Sequence, residues 1–211
     1  PYSYHKYLDF KSIINKKEII NILCVNRDLM IRTFCLVSHN NLFTMASSRL
    51  GGDILATNAI LFQIMSIFSY AFDGIANTAS VFSGRARGRK NNTLMKNCWK
   101  QTFFWGIIAT ILITIVFVLF NRTIIEIFTK LPNILILTQK YSIWLVLYPS
   151  IAFLGLTFYG VFTGAAKTVP IMTSTVLAFI SFFIAWKFLI PIYGNNGVWL
   201  SLLVFYLGRG I

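Results

Sequence analysis

Long stretches of apolar residues with few or no charges dominate this chain. The clearest of them runs from Thr102 to Phe120 and contains no charged residue. An α-helix needs about 20 residues of this kind to cross the hydrocarbon core of a bilayer. In lipid every backbone polar group needs an internal partner, so separate apolar stretches are expected to form helices rather than strands. The sequence therefore predicts an all-α membrane protein.

Six stretches of this kind occur along the 211 residues. The first is the most polar, because it contains Arg32 and His39, and the second contains a single charge, Asp73. The sixth reaches a full span only if a few residues follow it, so we expect a fragment of a longer protein. The six predicted transmembrane helices lie at about residues 29–46, 54–82, 102–120, 141–162, 168–190 and 196–211.

The composition excludes several classes of protein. Only 12% of the residues are charged, against about 25% in typical soluble domains. A soluble enzyme and a nucleic-acid-binding module are therefore not expected, and the predicted partner is the lipid bilayer. Two histidines and three separated cysteines are too few for a metal site. No catalytic residue is predicted, since the sequence has no nucleophile elbow, paired carboxylates or phosphate-binding glycine loop.

The distribution of basic residues predicts the orientation. The chain has 19 Lys and Arg against 6 Asp and Glu. Most of the basic residues precede residue 33 or lie in the loop Arg85–Lys100, and Lys167 and Arg209 belong to the same side. Because basic loops stay in the cytoplasm, both termini are expected there. Residues 1–26 then form a basic cytoplasmic entry segment, and residues 27–211 form the membrane domain.

Polar residues recur along the predicted second helix at helical spacing. At 100° per residue they fall within an arc of roughly 80°. A polar stripe that faces hydrocarbon is costly, so this one should face other helices or a water-filled cavity. Asp73 is the candidate ion-coupling residue, and the alternative is a structural carboxylate bound to a neighbouring helix. The candidate cavity-lining residues of the stripe are Ser66, Ser69, Asn77 and Ser80, and Gly84 completes it.

Two further features have a structural and a functional interpretation. Gly160 and Gly164 have the small-xxx-small spacing that favours close helix packing, which we prefer to a ligand site. His39, beside Asn40 and Asn41, is either a packed, hydrogen-bonded histidine or a proton relay.

Several motifs in order along the chain resemble one family. They look like the DinF-like branch of the MATE (multidrug and toxic compound extrusion) transporters. The segments that carry the resemblance are Asn26–Thr33, Ala46–Ala59, Tyr70–Asn77, Tyr159–Thr168, Gly194–Leu200 and Leu207–Gly210.

The resemblance implies a fold and an activity. Family members have twelve helices in two six-helix lobes and export small cationic or amphipathic compounds, driven by H⁺ or Na⁺. This chain would be the second, C-terminal lobe, and residues 1–26 would be the cytoplasmic connecting segment between the lobes. Tyr159 would be among the cavity-lining candidates, with no cofactor beyond the coupling ion. The expected location is the bacterial inner membrane.

Three hypotheses follow for function. The first is half of a cation-coupled multidrug antiporter that needs a first-lobe partner chain or self-association. The second is a truncated remnant that does not transport. The third is a lipid-linked precursor flippase of the wider superfamily, which would need a strongly cationic cavity, whereas most Lys and Arg lie in predicted loops.

Overall fold

A computed structural model describes residues 16–210, which form seven α-helices without a β-strand among them. The predicted all-α class is therefore confirmed. The helices are α1 (Lys16–Arg49), α2 (Gly52–Gly88), α3 (Asn92–Phe128), α4 (Pro132–Tyr141), α5 (Ile143–Gly164), α6 (Val169–Tyr193) and α7 (Asn195–Arg209).

Several helices extend beyond the apolar stretches that predicted them. No glycine or proline interrupts residues 16–49, so α1 continues through residues 16–26, which the sequence had assigned to the connecting segment. The rest of that segment lies outside the described residues. Helix α3 begins ten residues before the predicted start, because the side chain of Asn91 accepts a hydrogen bond of 2.9 Å from the Leu94 amide. Such a cap satisfies a free amide of the first turn and fixes where a helix begins.

Four helices, α2, α3, α5 and α6, are long and apolar enough to cross a membrane by length and composition. These four helices are those of a multi-pass membrane protein. Helix α1 is long but polar near its middle, and α7 has 15 residues, about 22 Å. That α1 and α7 also cross the membrane therefore remains a prediction from the sequence. Helix α4 was not predicted separately, because its ten residues with Pro132 in the first turn are too few for a span.

The helices pack around a core in which aromatic side chains predominate. Helix α2 packs mainly on α5 and α3, while α7 packs mainly on α6, and α1 also lies along α6. Trp199, Tyr148 and Phe205 are completely buried at the centre. In the first half of α1, buried Asp28 accepts a hydrogen bond of 2.9 Å from Thr168, which joins α1 to the turn before α6.

A buried polar network joins the C-terminal end of α1 to two other helices. The Asn58 amide group on α2 donates to the Ser47 hydroxyl at 2.8 Å and to the Asn195 side-chain oxygen at 2.6 Å. Its own oxygen accepts from the Trp199 indole nitrogen at 2.9 Å and from the Asn195 amide at 3.2 Å. Buried amides are stable only when satisfied in this way. The network therefore fixes the adjoining ends of α1, α2 and α7.

Candidate functional site

The polar stripe predicted on α2 lies along one side of that helix and is incompletely covered by its neighbours. Asp73 is half-buried, as are Ser66, Ser69 and Ser80, while Asn77 is exposed. Among the side chains that the structure describes, Asp73 forms no ion pair within 4.0 Å. A carboxylate without an ionic partner, on an apolar helix, is the most unusual group on this surface.

Two serines of the stripe are tied to their own helix. The Ser66 hydroxyl donates to the Phe62 carbonyl at 2.9 Å, and the Ser69 hydroxyl lies 3.0 Å from the Met65 carbonyl. These bonds satisfy hydroxyl groups in an apolar surrounding. Ser69 has a second role, since its oxygen also lies 2.7 Å from the hydroxyl of buried Tyr148 on α5.

Side chains from α5 and α1 lie near Asp73, and a third, from α7, lies near both of them. The Asp73 carboxylate lies beside the Tyr159 hydroxyl on α5. The Arg32 guanidinium on α1 lies 4.8 Å from the centroid of the Tyr159 ring, a cation–π distance. Arg209 at the end of α7 is within electrostatic range of both Arg32 and Tyr159. One carboxylate, one phenol and two guanidinium groups therefore share this surface.

We call this surface the polar face. It comprises the α2 stripe with Arg32 and Tyr159: Arg32, Ser66, Ser69, Asp73, Asn77, Ser80 and Tyr159. It contains carboxylate, hydroxyl, amide and guanidinium groups. Such a surface can exchange protons, bind a cation at Asp73 or bind an anion at Arg32.

Gly160 and Gly164 lie where α5 crosses α2. A Cβ atom built on Gly160 would overlap the Ala76 carbonyl group, and one built on Gly164 would overlap the Ser80 carbonyl oxygen and the Ser83 hydroxyl. The two backbones therefore approach more closely than any side chain allows. This contact places Tyr159, the neighbour of Gly160, next to Asp73.

His39 lies completely buried inside the bundle. Its ring stacks on Phe205 with the centroids 4.1 Å apart, and Phe182 meets it edge-on at 4.8 Å. Its Nδ1 atom lies 3.0 Å from the Asn40 side-chain oxygen. Its Nε2 atom is buried with no hydrogen-bond partner among the described residues. This environment is that of a packed aromatic side chain.

The sequence did not single out Arg32, Tyr148 or Arg209 as part of a site. Arg32 could have been identified from the sequence, because a charged side chain within a predicted transmembrane helix is unfavourable in lipid unless it has a partner. Tyr148 and Arg209 had no such signal, since their neighbours, Ser69 on α2 and Gly155 on α5, are distant in the sequence. Within residues 16–210, no group of three or more His, Cys, Asp or Glu lies close enough to hold a metal ion.

Comparison with known proteins gives two results. Residues 29–189 match the MatE family model. The chain is also 31% identical over 190 residues to DNA damage-inducible protein F from Escherichia coli (strain K12). That match covers 90% of this chain and 41% of the relative, so the chain spans less than half the length of this relative.

Proposed function

Because this chain belongs to the MatE family, we propose that it forms one lobe of a cation-coupled efflux antiporter for small amphipathic or cationic compounds. The observation that carries the proposal is the polar face. A half-buried carboxylate, hydroxyls and an exposed amide along a membrane helix are costly against lipid. They are stable when a second lobe covers them or when they line a water-filled cavity.

A second lobe is also a mechanical requirement of this proposal. Alternating access works by two bodies that rock about a central site, and one lobe supplies a single wall of that site. The match to less than half of the relative agrees with a single lobe. The missing wall is supplied by a first lobe, on the same polypeptide or on a partner chain.

Within this lobe, Asp73 is the proposed site for the coupling H⁺ or Na⁺. Arg32 carries a positive charge near the same carboxylate, and Arg209 lies near Arg32. A coupling cation and the Arg32 guanidinium therefore compete for Asp73. When the cation is bound, Arg32 is expected to stay on the Tyr159 ring, on which its guanidinium already lies.

A second candidate function is export of an anionic, lipid-linked compound. The observation in its favour is the same pair of guanidinium groups, because arginine binds phosphate oxygens in a bidentate manner. Arg32 belongs to the polar face and Arg209 lies near Arg32 and Tyr159, so the positive charges at this surface outnumber its one carboxylate.

Drug resistance in cells that lack their own efflux pumps tests the proposal. The chain is produced alone and together with a complementary six-helix lobe from the same genome. We expect the pair to raise the minimal inhibitory concentration of amphipathic cations several-fold, and the chain alone to leave it unchanged.

Each other outcome contradicts part of the proposal. Resistance from the chain alone would overturn the two-lobe requirement. No resistance from the pair, with both chains present in the membrane by immunoblot, would favour a non-transporting remnant or an exporter of anions.

The proposed orientation in the bacterial inner membrane makes a separate prediction. The basic turn between α2 and α3 should face the cytoplasm, and the turn between α3 and α4 should face the other side. Cys24 is the exposed native cysteine among those described. In a Cys24→Ser background, Asn133→Cys should therefore react with a membrane-impermeant maleimide added to intact cells, and Asn92→Cys should react only after lysis. Ready labelling of Asn92→Cys in intact cells would reverse the orientation.

A further inference from the structure

A groove with a volume of about 590 Å³ runs between α2 and α3. Its α2 wall includes Ala71, Thr78 and Phe82, and its α3 wall includes Leu94 and Trp105. The lining is predominantly apolar, and the polar side chains of Asn97 and Gln101 lie along one wall. Nothing in the proposed transport cycle uses this groove.

The groove opens on the side of α2 opposite the polar face. At 100° per residue, Ala71, Thr78 and Phe82 lie roughly 160° around the helix from Asp73. The neighbouring surface of α3 is apolar and exposed, including Phe103, at 46%, and Trp105, at 54%. If a second lobe covers the polar face, the groove faces the hydrocarbon of the bilayer.

The groove also has the length of one leaflet. From Leu94 to Trp105 it follows 12 residues of α3, whose Cα atoms span about 16 Å along the helix. Half of a bilayer core that is about 30 Å thick is about 15 Å. One acyl chain of a phospholipid therefore fits along the groove with its headgroup at the Phe82–Leu94 end.

Positive charge is concentrated at that same end. The segment Arg85–Lys100 contains six Lys and Arg and no Asp or Glu. None of the six forms an ion pair among the side chains that the structure describes. The Arg85 guanidinium lies 5.9 Å from the centroid of the Phe82 ring, which places a cation at the mouth of the groove.

From this geometry we infer that the groove is a binding site for an anionic phospholipid. One acyl chain lies between α2 and α3, and the phosphate group is bound by the cations at the α2–α3 turn. Asn97 and Gln101 donate hydrogen bonds to the ester and glycerol oxygens, which are the polar atoms next to the chain. The fixed charge selects an anionic headgroup over a zwitterionic one, because guanidinium and ammonium groups pair best with net negative charge.

Lipid analysis of the purified protein tests this inference. The protein is extracted with mild detergent from a host membrane that contains phosphatidylglycerol and phosphatidylethanolamine, and the lipids that remain bound are quantified by mass spectrometry. We expect phosphatidylglycerol to be enriched several-fold over its share of the bulk membrane.

Two variants separate the acyl and headgroup contacts. A Cβ at Gly74 meets open space in the groove, so Gly74→Leu should fill it and reduce all bound lipid. Gly52→Leu is the matched control, because its Cβ also meets open space but lies at the other end of α2. Arg85→Gln combined with Lys100→Gln should remove the preference for phosphatidylglycerol, whereas Lys130→Gln with Lys140→Gln should not.

The inference is wrong if the bound lipid has the bulk composition, or if Gly74→Leu retains the lipid of the unmodified protein. It is also wrong if the purified unmodified protein retains an amphipathic cation in place of lipid and Gly74→Leu abolishes that retention, which would make the groove a substrate site. None of these measurements requires transport, so the inference and the proposed function can fail independently.

Discussion

Replacing Gly160 or Gly164 with leucine should abolish recovery of folded protein. A side chain at either position would overlap carbonyl groups of α2, at Ala76 or at Ser80. A helix backbone cannot move aside as a flexible side chain can, so α2 and α5 would have to separate. Even Gly160→Ala should be destabilising, by about 1–3 kcal/mol, since one Cβ atom already overlaps. Monodisperse yield and melting temperature in detergent are the measurements.

Gly52→Leu serves as the control for the chemical change itself. It introduces the same side chain on α2, at a position where nothing lies within 4 Å. Its yield and melting temperature should stay near those of the unmodified protein. If Gly160→Leu and Gly164→Leu behave like this control, the two glycines face lipid and α5 does not pack on α2 as described.

Asp73→Asn should eliminate the drug resistance conferred by the paired lobes. Asparagine keeps the size of the side chain and its capacity for hydrogen bonds, but it cannot bind H⁺ or Na⁺ through a negative charge. Transport uncoupled from the ion gradient does not concentrate a compound outside the cell, so resistance should fall to the level of cells without the pump. The minimal inhibitory concentration, read together with immunoblots of membrane fractions, measures this effect.

Asp53→Asn is the matched control, since Asp53 is an exposed acid in the first turn of the same helix and lies far from the polar face. It should leave resistance intact. Full resistance with Asp73→Asn would reduce Asp73 to a structural hydrogen-bonding residue.

Arg32→Gln tests the competition between Arg32 and the coupling cation for Asp73. It should change the dependence of transport on pH or Na⁺ while expression is retained.

Much of the helical architecture follows from hydropathy. Each predicted apolar stretch falls largely within a helix, because a long apolar segment has few other ways to satisfy its backbone in lipid. The family assignment also followed from ordered motifs, and the match to residues 29–189 confirms it. Helix ends were less predictable, since they depend on local hydrogen bonds such as the Asn91 cap. Charged residues at the helix ends also lower the local hydropathy, so hydropathy assigns them to loops although they are helical.

The polar face could be predicted only in part. The period of the α2 stripe places Asp73 and Ser69 on one side, because periodicity along a single helix is visible in the sequence. Their neighbours are not visible, since Tyr148 and Tyr159 are separated from α2 by two other helices. The contact between α5 and α2 depends on the close approach of their backbones at Gly160 and Gly164. A pair of glycines in the sequence does not indicate which helix will pack against it.

The buried network at the ends of α1, α2 and α7 has a consequence for how such sequences can diverge. Asn58 satisfies Ser47, Asn195 and Trp199 at once. An apolar residue at Asn58 would leave the Trp199 indole without its acceptor, and a change at Trp199 alone would leave an amide oxygen less satisfied. Replacing one residue of the network therefore leaves a buried polar group without a hydrogen-bond partner, whereas replacing the partners together does not. In an evolving lineage these four positions should change as a set, and covariation among them would record a contact that spans more than 130 residues of chain.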